Sequence, residues 1–127
     1  MDDGAGAPAE GIVIERDLAP GVSLVVLLGE HDLASADELQ STLDDLLASE
    51  SNVVVDVSET SFLDVSILRV LYGAHRAAAE QRRRVVLAWG TSPEVRRVFT
   101  LTGLLDRVTH AEGREQAVLA AQEGRAA

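Results

Sequence analysis

Val53-Val54-Val55-Asp56-Val57 is an almost unbroken run of β-branched residues, and no other segment constrains the chain so strongly. β-Branched side chains fit a pleated backbone, and a run with so little polar alternation belongs to a strand covered on both faces. Such a strand needs helices on each side of its sheet, so the expected class is α/β with this strand at the centre. Val85-Val86-Leu87-Ala88-Trp89 is a second strand of the same kind. Between the two, from Val65 to about Gln81, residues Ile67, Val70, Leu71, Ala74 and Ala78 keep helical spacing. Strand, helix and strand in that order predict a parallel crossover unit.

The flanking segments extend the pattern. Ile12–Ile14 and Val22–Leu28 are aliphatic runs separated by Ala19-Pro20-Gly21, which predicts a hairpin. Ser35-Ala36-Asp37-Glu38 has the form of a capping box, and Leu39, Leu43, Leu46 and Leu47 then form one helical stripe with Asp44 and Asp45 turned outward. Ser92-Pro93-Glu94 supplies an N-cap, a first-position proline and an early acid for a helix carrying Val95, Val98 and Phe99, which Gly103 ends. Arg107-Val108-Thr109 is expected as a last short strand, and Arg114–Gln122 as a terminal helix around Val118 and Leu119. The whole reads as a mixed β-sheet in which an N-terminal hairpin is followed by alternating helices and strands. Residues 12–122 form one domain, flanked by an acidic flexible tail at 1–11 and a frayed end at 123–127.

Composition narrows the chemistry. The 127 residues include no Cys, which excludes disulfides, a thiol nucleophile and thiolate metal sites. The start is acidic where a secretory signal is basic, and no apolar run approaches the roughly 18 residues of a membrane span, so a cytoplasmic protein away from membranes is expected. The net charge of −10 repels nucleic acid as a whole. It is unevenly spread: 15 acids oppose Arg16 alone through Asp64, whereas 10 Arg oppose 6 acids from Val65 onward. Arg82-Arg83-Arg84 reads as a solvated helix end opposing the helix dipole rather than as a phosphate site.

Most catalytic patterns are absent. There is no Lys for a P-loop or for a phospho-aspartate receiver, and no Ser lies in a Gly-x-Ser-x-Gly elbow, which leaves a serine hydrolase with little support. His31, His75 and His110 lack metal-ligand spacing and read as surface or packing residues. Asp44 and Asp45, adjacent on a helix, point about 100° apart and cannot share a substrate. Neither enzymatic activity nor a cofactor is expected.

One segment stands apart: Val57-Ser58-Glu59-Thr60-Ser61-Phe62-Leu63-Asp64-Val65-Ser66-Ile67-Leu68-Arg69-Val70-Leu71, which runs from the central strand through a short turn into a helix. Taken alone, Asp64 is a helix N-cap and Ser66 an ordinary second-position serine. The segment also resembles the signature of STAS domains, in which a strand ends, Asp-Ser-Ser-Gly-Leu follows and a helix begins. Asp64 matches the Asp, Ser66 the second Ser and Leu68 the Leu. Gly29-Glu30-His31-Asp32-Leu33 is similar to the family's Gly-Glu-Leu-Asp segment, and Leu101-Thr102-Gly103-Leu104 to its Leu-Thr-Gly-Leu. The resemblance covers roughly Ile12 to Val118.

For a stand-alone chain of this length the resemblance implies an anti-sigma factor antagonist acting by partner switching. An anti-sigma factor serine kinase binds the unmodified protein and phosphorylates Ser66, and a serine phosphatase resets the cycle. It implies a partner-facing surface of Asp32, Ser58, Asp64, Val65, Ser66, Ile67 and Arg69. Val65 stands where the family has its first Ser and Ile67 where it has Gly, and both are expected to add bulk beside Ser66. Those departures keep an alternative open: a STAS scaffold or accessory subunit, never phosphorylated, in a multiprotein sensor or transport assembly.

Overall fold

The computed structural model describes residues 10–90 and 92–126. The hairpin is β1 (Gly11–Ala19) and β2 (Val22–His31), antiparallel, and Gly21 at the turn takes a φ of 71° that suits glycine. After it come α1 (Leu33–Ala48), β3 (Asn52–Asp56), β4 (Thr60–Leu63), α2 (Val65–Glu80), β5 (Val85–Trp89), α3 (Pro93–Thr102), a 3-10 turn at Leu104–Asp106, β6 (Thr109–Glu112) and α4 (Arg114–Ala126). The sheet order is β1-β2-β3-β5-β6, every pair after the hairpin being parallel. The expected central strand is therefore central, flanked by β2 and β5.

Alternation along the strands divides the core in two. Val25, Leu27, Val53, Val55 and Leu87 face one side, where the leucine stripe of α1, the apolar face of α2 and Val95 and Phe99 of α3 cover them. Leu24, Val26, Val54, Val86 and Ala88 face the other, where α4 packs through Ala117 and Ala121. Asp44 and Asp45 are exposed, as their position opposite the stripe requires.

Several expected boundaries are corrected. The first helix begins at Leu33, and its cap is Asp32, whose Oδ1 accepts from the Ala34 N–H at 2.9 Å. Ser35 instead lies inside the helix and directs its hydroxyl back to the Asp32 carbonyl at 3.2 Å. β4 was not expected. Its two outward residues, Ser61 and Phe62, hide the alternation that marks a strand. The last strand starts at Thr109 rather than Arg107, because the 3-10 turn after Gly103 consumes the intervening residues. α4 extends beyond Gln122, and its buried contacts are two alanines while Leu119 is exposed. The three arginines follow the end of α2: Arg83 pairs with Glu50 at 3.5 Å and Arg84 points an Nη at the Ala120 carbonyl, also at 3.5 Å. Residues 1–9 of the expected tail lie outside the described residues, and Gly11 already belongs to β1.

Among the described residues no helix is long and apolar enough to cross a membrane.

Candidate functional site

Parallel strands followed by helices place every helix N-terminus at the carboxyl end of the sheet. There β2 changes partner: it pairs with β3 over Val22–Val26 and with β4 over Gly29–His31. His31 lies opposite Leu63, so the next residue on each strand, Asp32 and Asp64, leaves the sheet beside the other. The Asp64 N–H donates to the His31 carbonyl at 2.9 Å, tying the two exits together. Both aspartates become N-caps, of α1 and α2 respectively.

His31 fixes the base of this junction. It is buried, its Nε2–H donates to the Leu28 carbonyl at 3.0 Å, and its Nδ1 lies 3.0 Å from the Ser35 hydroxyl. A packing histidine thus secures the strand end from which both caps emerge.

At α2 the cap is doubled. One oxygen of Asp64, Oδ2, accepts the Ser66 backbone N–H at 2.9 Å and the Ser66 hydroxyl at 2.7 Å. The Asp64 pKa is lowered first by the backbone bond from Ser66 and then by its hydroxyl, with the Arg69 guanidinium adding to the effect against partial desolvation. The carboxylate is therefore a poor proton acceptor that orients the Ser66 oxygen. Ser66 itself is half-buried at the second position of α2.

The rim is apolar. Leu33 and Val65, the first residues of α1 and α2, are 73% and 52% exposed, and Phe62 of β4, opposite Glu30, is 48% exposed. Large exposed apolar side chains gathered at one end of a small domain mark an interaction surface.

The residues expected at this surface separate into three groups. Asp32, Asp64, Val65 and Ser66 are brought together, and Arg69 follows one turn along α2 with its side chain exposed. Ser58 is exposed in the turn between β3 and β4, separated from the caps by the length of β4. Ile67 is fully buried in the core under α2, so its side chain adds no bulk beside Ser66 and presents nothing to a partner. That expectation is corrected for Ile67, whereas Val65 is exposed at the start of α2.

One pair was missed. Asp56 ends β3 fully buried, and its Oδ2 accepts from both Nε and Nη2 of Arg114 at 2.9 Å, while its Oδ1 accepts the Ser58 N–H at 2.9 Å. The first residue of α4 thereby holds the turn that carries Ser58. Gly90 closes the same turn from the β5 side, for a Cβ there would stand 2.9 Å from the Ser58 Cβ. The only sequence signal was a lone carboxylate interrupting an apolar strand, with its partner 58 residues away. Among the described residues no group of three His, Asp or Glu side chains is placed to hold a metal ion.

Comparison with known proteins covers most of the chain. The family model described as "STAS domain" matches residues 14–117. An anti-sigma-B factor antagonist of Listeria monocytogenes is 29% identical over 92 residues, spanning 70% of this chain and 80% of the relative. An anti-sigma factor antagonist from Mycobacterium paratuberculosis superposes with a TM-score of 0.76 at 24% identity, covering 91% of this chain and 97% of that one. The Bacillus cell fate determinant SpoIIAA in its phosphorylated form gives 0.64 at 21% identity, covering 85% and 96%. With the family model matched over most of the sequence, the conclusion is direct: the chain belongs to the STAS domain family.

Proposed function

We propose that this protein is an anti-sigma factor antagonist that works in the cytoplasm by partner switching, with no catalytic activity of its own. In its unmodified form it binds an anti-sigma factor serine kinase through the end of the molecule where α1 and α2 begin. Phosphorylation of Ser66 releases it, and a serine phosphatase restores it. The observation that carries this reading is the Ser66 hydroxyl, oriented at 2.7 Å by Asp64 at the end of the molecule where Leu33, Phe62 and Val65 are exposed.

The chemistry of release follows from that setting. Esterification removes the hydroxyl hydrogen, so the bond to Asp64 is lost, and it adds about −1.5 to −2 charge at neutral pH. Within the domain the helix N-terminus and Arg69, one turn on, offset the dianion's repulsion from the neighbouring Asp64 carboxylate. A partner packed on the apolar rim would have to desolvate it. A loss of about 3 kcal/mol weakens binding more than a hundredfold. The antagonists that resemble this chain, one of them solved in a phosphorylated form, support the same reading.

The test is affinity capture from native lysate with wild type and Ser66→Asp as paired baits, read by mass spectrometry. A kinase retained by wild type and lost by Ser66→Asp is the expected result. The same non-kinase proteins on both baits would replace the switch with a constitutive scaffold or accessory subunit.

A further inference from the structure

The two faces of the sheet are unequally covered. Three helices shield one face, whereas α4 alone shields the other, packing on β3, β5 and β6 and reaching only the margin of β2. At the margin of α4, over β1 and β2, lies a hollow of about 240 Å³, floored by Leu24, Val26 and Leu28, which are themselves almost fully buried, and bordered by the more exposed Val13. A second hollow of about 400 Å³ continues between Leu18 and the outer side of α4 at Val118 and Leu119, and Arg114 borders both. Val13, Leu18 and Leu119 are each more than a third exposed. The floor is apolar and the rim is acidic: Glu15 and Glu59 edge the first hollow and Glu115 the second. The single cation among them, Arg114, is engaged by buried Asp56 at 2.9 Å and also stands 4.0 Å from Glu59, so it offsets part of the charge on the first hollow's rim.

We propose that this trough is a second docking surface, separate from the Ser66 end, and that it takes a basic amphipathic segment of another protein. Aliphatic side chains of such a segment would fill the hollows while Lys or Arg meets Glu15, Glu59 and Glu115. Carboxylates distributed over both hollows suit a segment with several cations better than a molecule with one. Charge also decides against the other occupants. The residues preceding Glu10 include Asp2 and Asp3 and would add like charge, and a second copy would bring the same acidic rim against itself.

The probe is a synthetic amphipathic helix of leucine and lysine, titrated into the isotope-labelled full chain and followed by amide NMR, with a leucine and glutamate helix as its counterpart. The lysine peptide is expected to shift amides of β1, β2 and α4, and the glutamate peptide to shift none. Glu15→Gln with Glu115→Gln should weaken binding about tenfold. Asp44→Asn with Asp45→Asn removes the same charge from the opposite, α1-bearing side and should change it less than twofold. Equal effects of the two variant pairs, shifts centred on α1 and α2, binding of the glutamate peptide or no shifts at all would each overturn the proposal. Concentration-dependent shifts of the same amides without peptide would overturn it in favour of a second copy.

Discussion

A single oxygen of Asp64 receives both the backbone N–H and the hydroxyl of Ser66, at 2.9 and 2.7 Å. The serine is thereby both capped and aimed, and the carboxylate records the state of that hydroxyl in its own ionisation. Ser66→Ala removes one of the three hydrogen bonds that lower the Asp64 pKa, those of the Ser66 and Val65 backbone remaining, so that pKa should rise toward the usual carboxylate value while remaining below it. Carboxyl-detected NMR titration reads this directly. An unchanged value would mean that the hydroxyl points elsewhere in solution.

The same ionisation links stability to pH. A carboxylate whose pKa folding depresses stabilises the native chain above its unfolded pKa, and that contribution is lost as the pH falls through the folded value. Asp64→Asn keeps a capping oxygen without the charge. Denaturant midpoints of wild type and Asp64→Asn should therefore differ near neutral pH and converge in acid below the depressed pKa.

Arg114→Ala should be costly for a residue whose side chain is 44% exposed, because it leaves Asp56 buried without its ion-pair partner. Removing one member of such a pair destabilises by about 3 kcal/mol. The double variant Arg114→Ala with Asp56→Asn should recover part of this in urea unfolding. No recovery would indicate that Arg114 acts by packing rather than by charge.

Gly90→Ala places a Cβ 2.9 Å from the Ser58 Cβ and 3.2 Å from its Cα, which is backbone and cannot turn aside. Overpacking of this kind costs about 1–3 kcal/mol. Thermal unfolding should show a lower midpoint, with amide shifts centred on the turn before β4 and not on the Arg-rich end of α2.

Leu33→Ala and Phe62→Ala truncate side chains that solvent already reaches, so denaturant midpoints should move little. If this end receives the kinase, each should weaken capture by about tenfold or more. Full retention of the partner by both variants would move the contact away from the caps.

Much of the architecture was legible because it is written in local periodicity. The β-branched run around Val54 and the leucine stripe of α1 each bury the side predicted, and Ser92, Pro93 and Gly103 bound α3 as their backbone chemistry requires. The errors have local causes too. Ser35 and Glu38 have the spacing of a capping box, yet Asp32 captures the cap because β2 delivers it there three residues earlier. β4 escaped notice because its outward pair includes a phenylalanine. The site was legible at Asp64 and Ser66, which are neighbours along the chain. Ile67 was legible through its helical spacing, which puts it in the core, and was misplaced only where the resemblance set it beside Ser66, and Arg114 was invisible because its partner is distant in sequence.

β4 is secured to the sheet over a short length. Its ladder with β2 spans only Gly29 to His31, and even there the register shifts between Gly29 and Glu30. The neighbouring pairing of β2 with β3 is five residues long and continuous. Opening of β4 therefore leaves the main sheet zipped, and its amides should exchange with solvent through a cheaper, separate fluctuation than those of Val54 or Val86. The molecule accordingly joins a rigid frame to a soft border, and the border leads directly into the helix that carries Ser66.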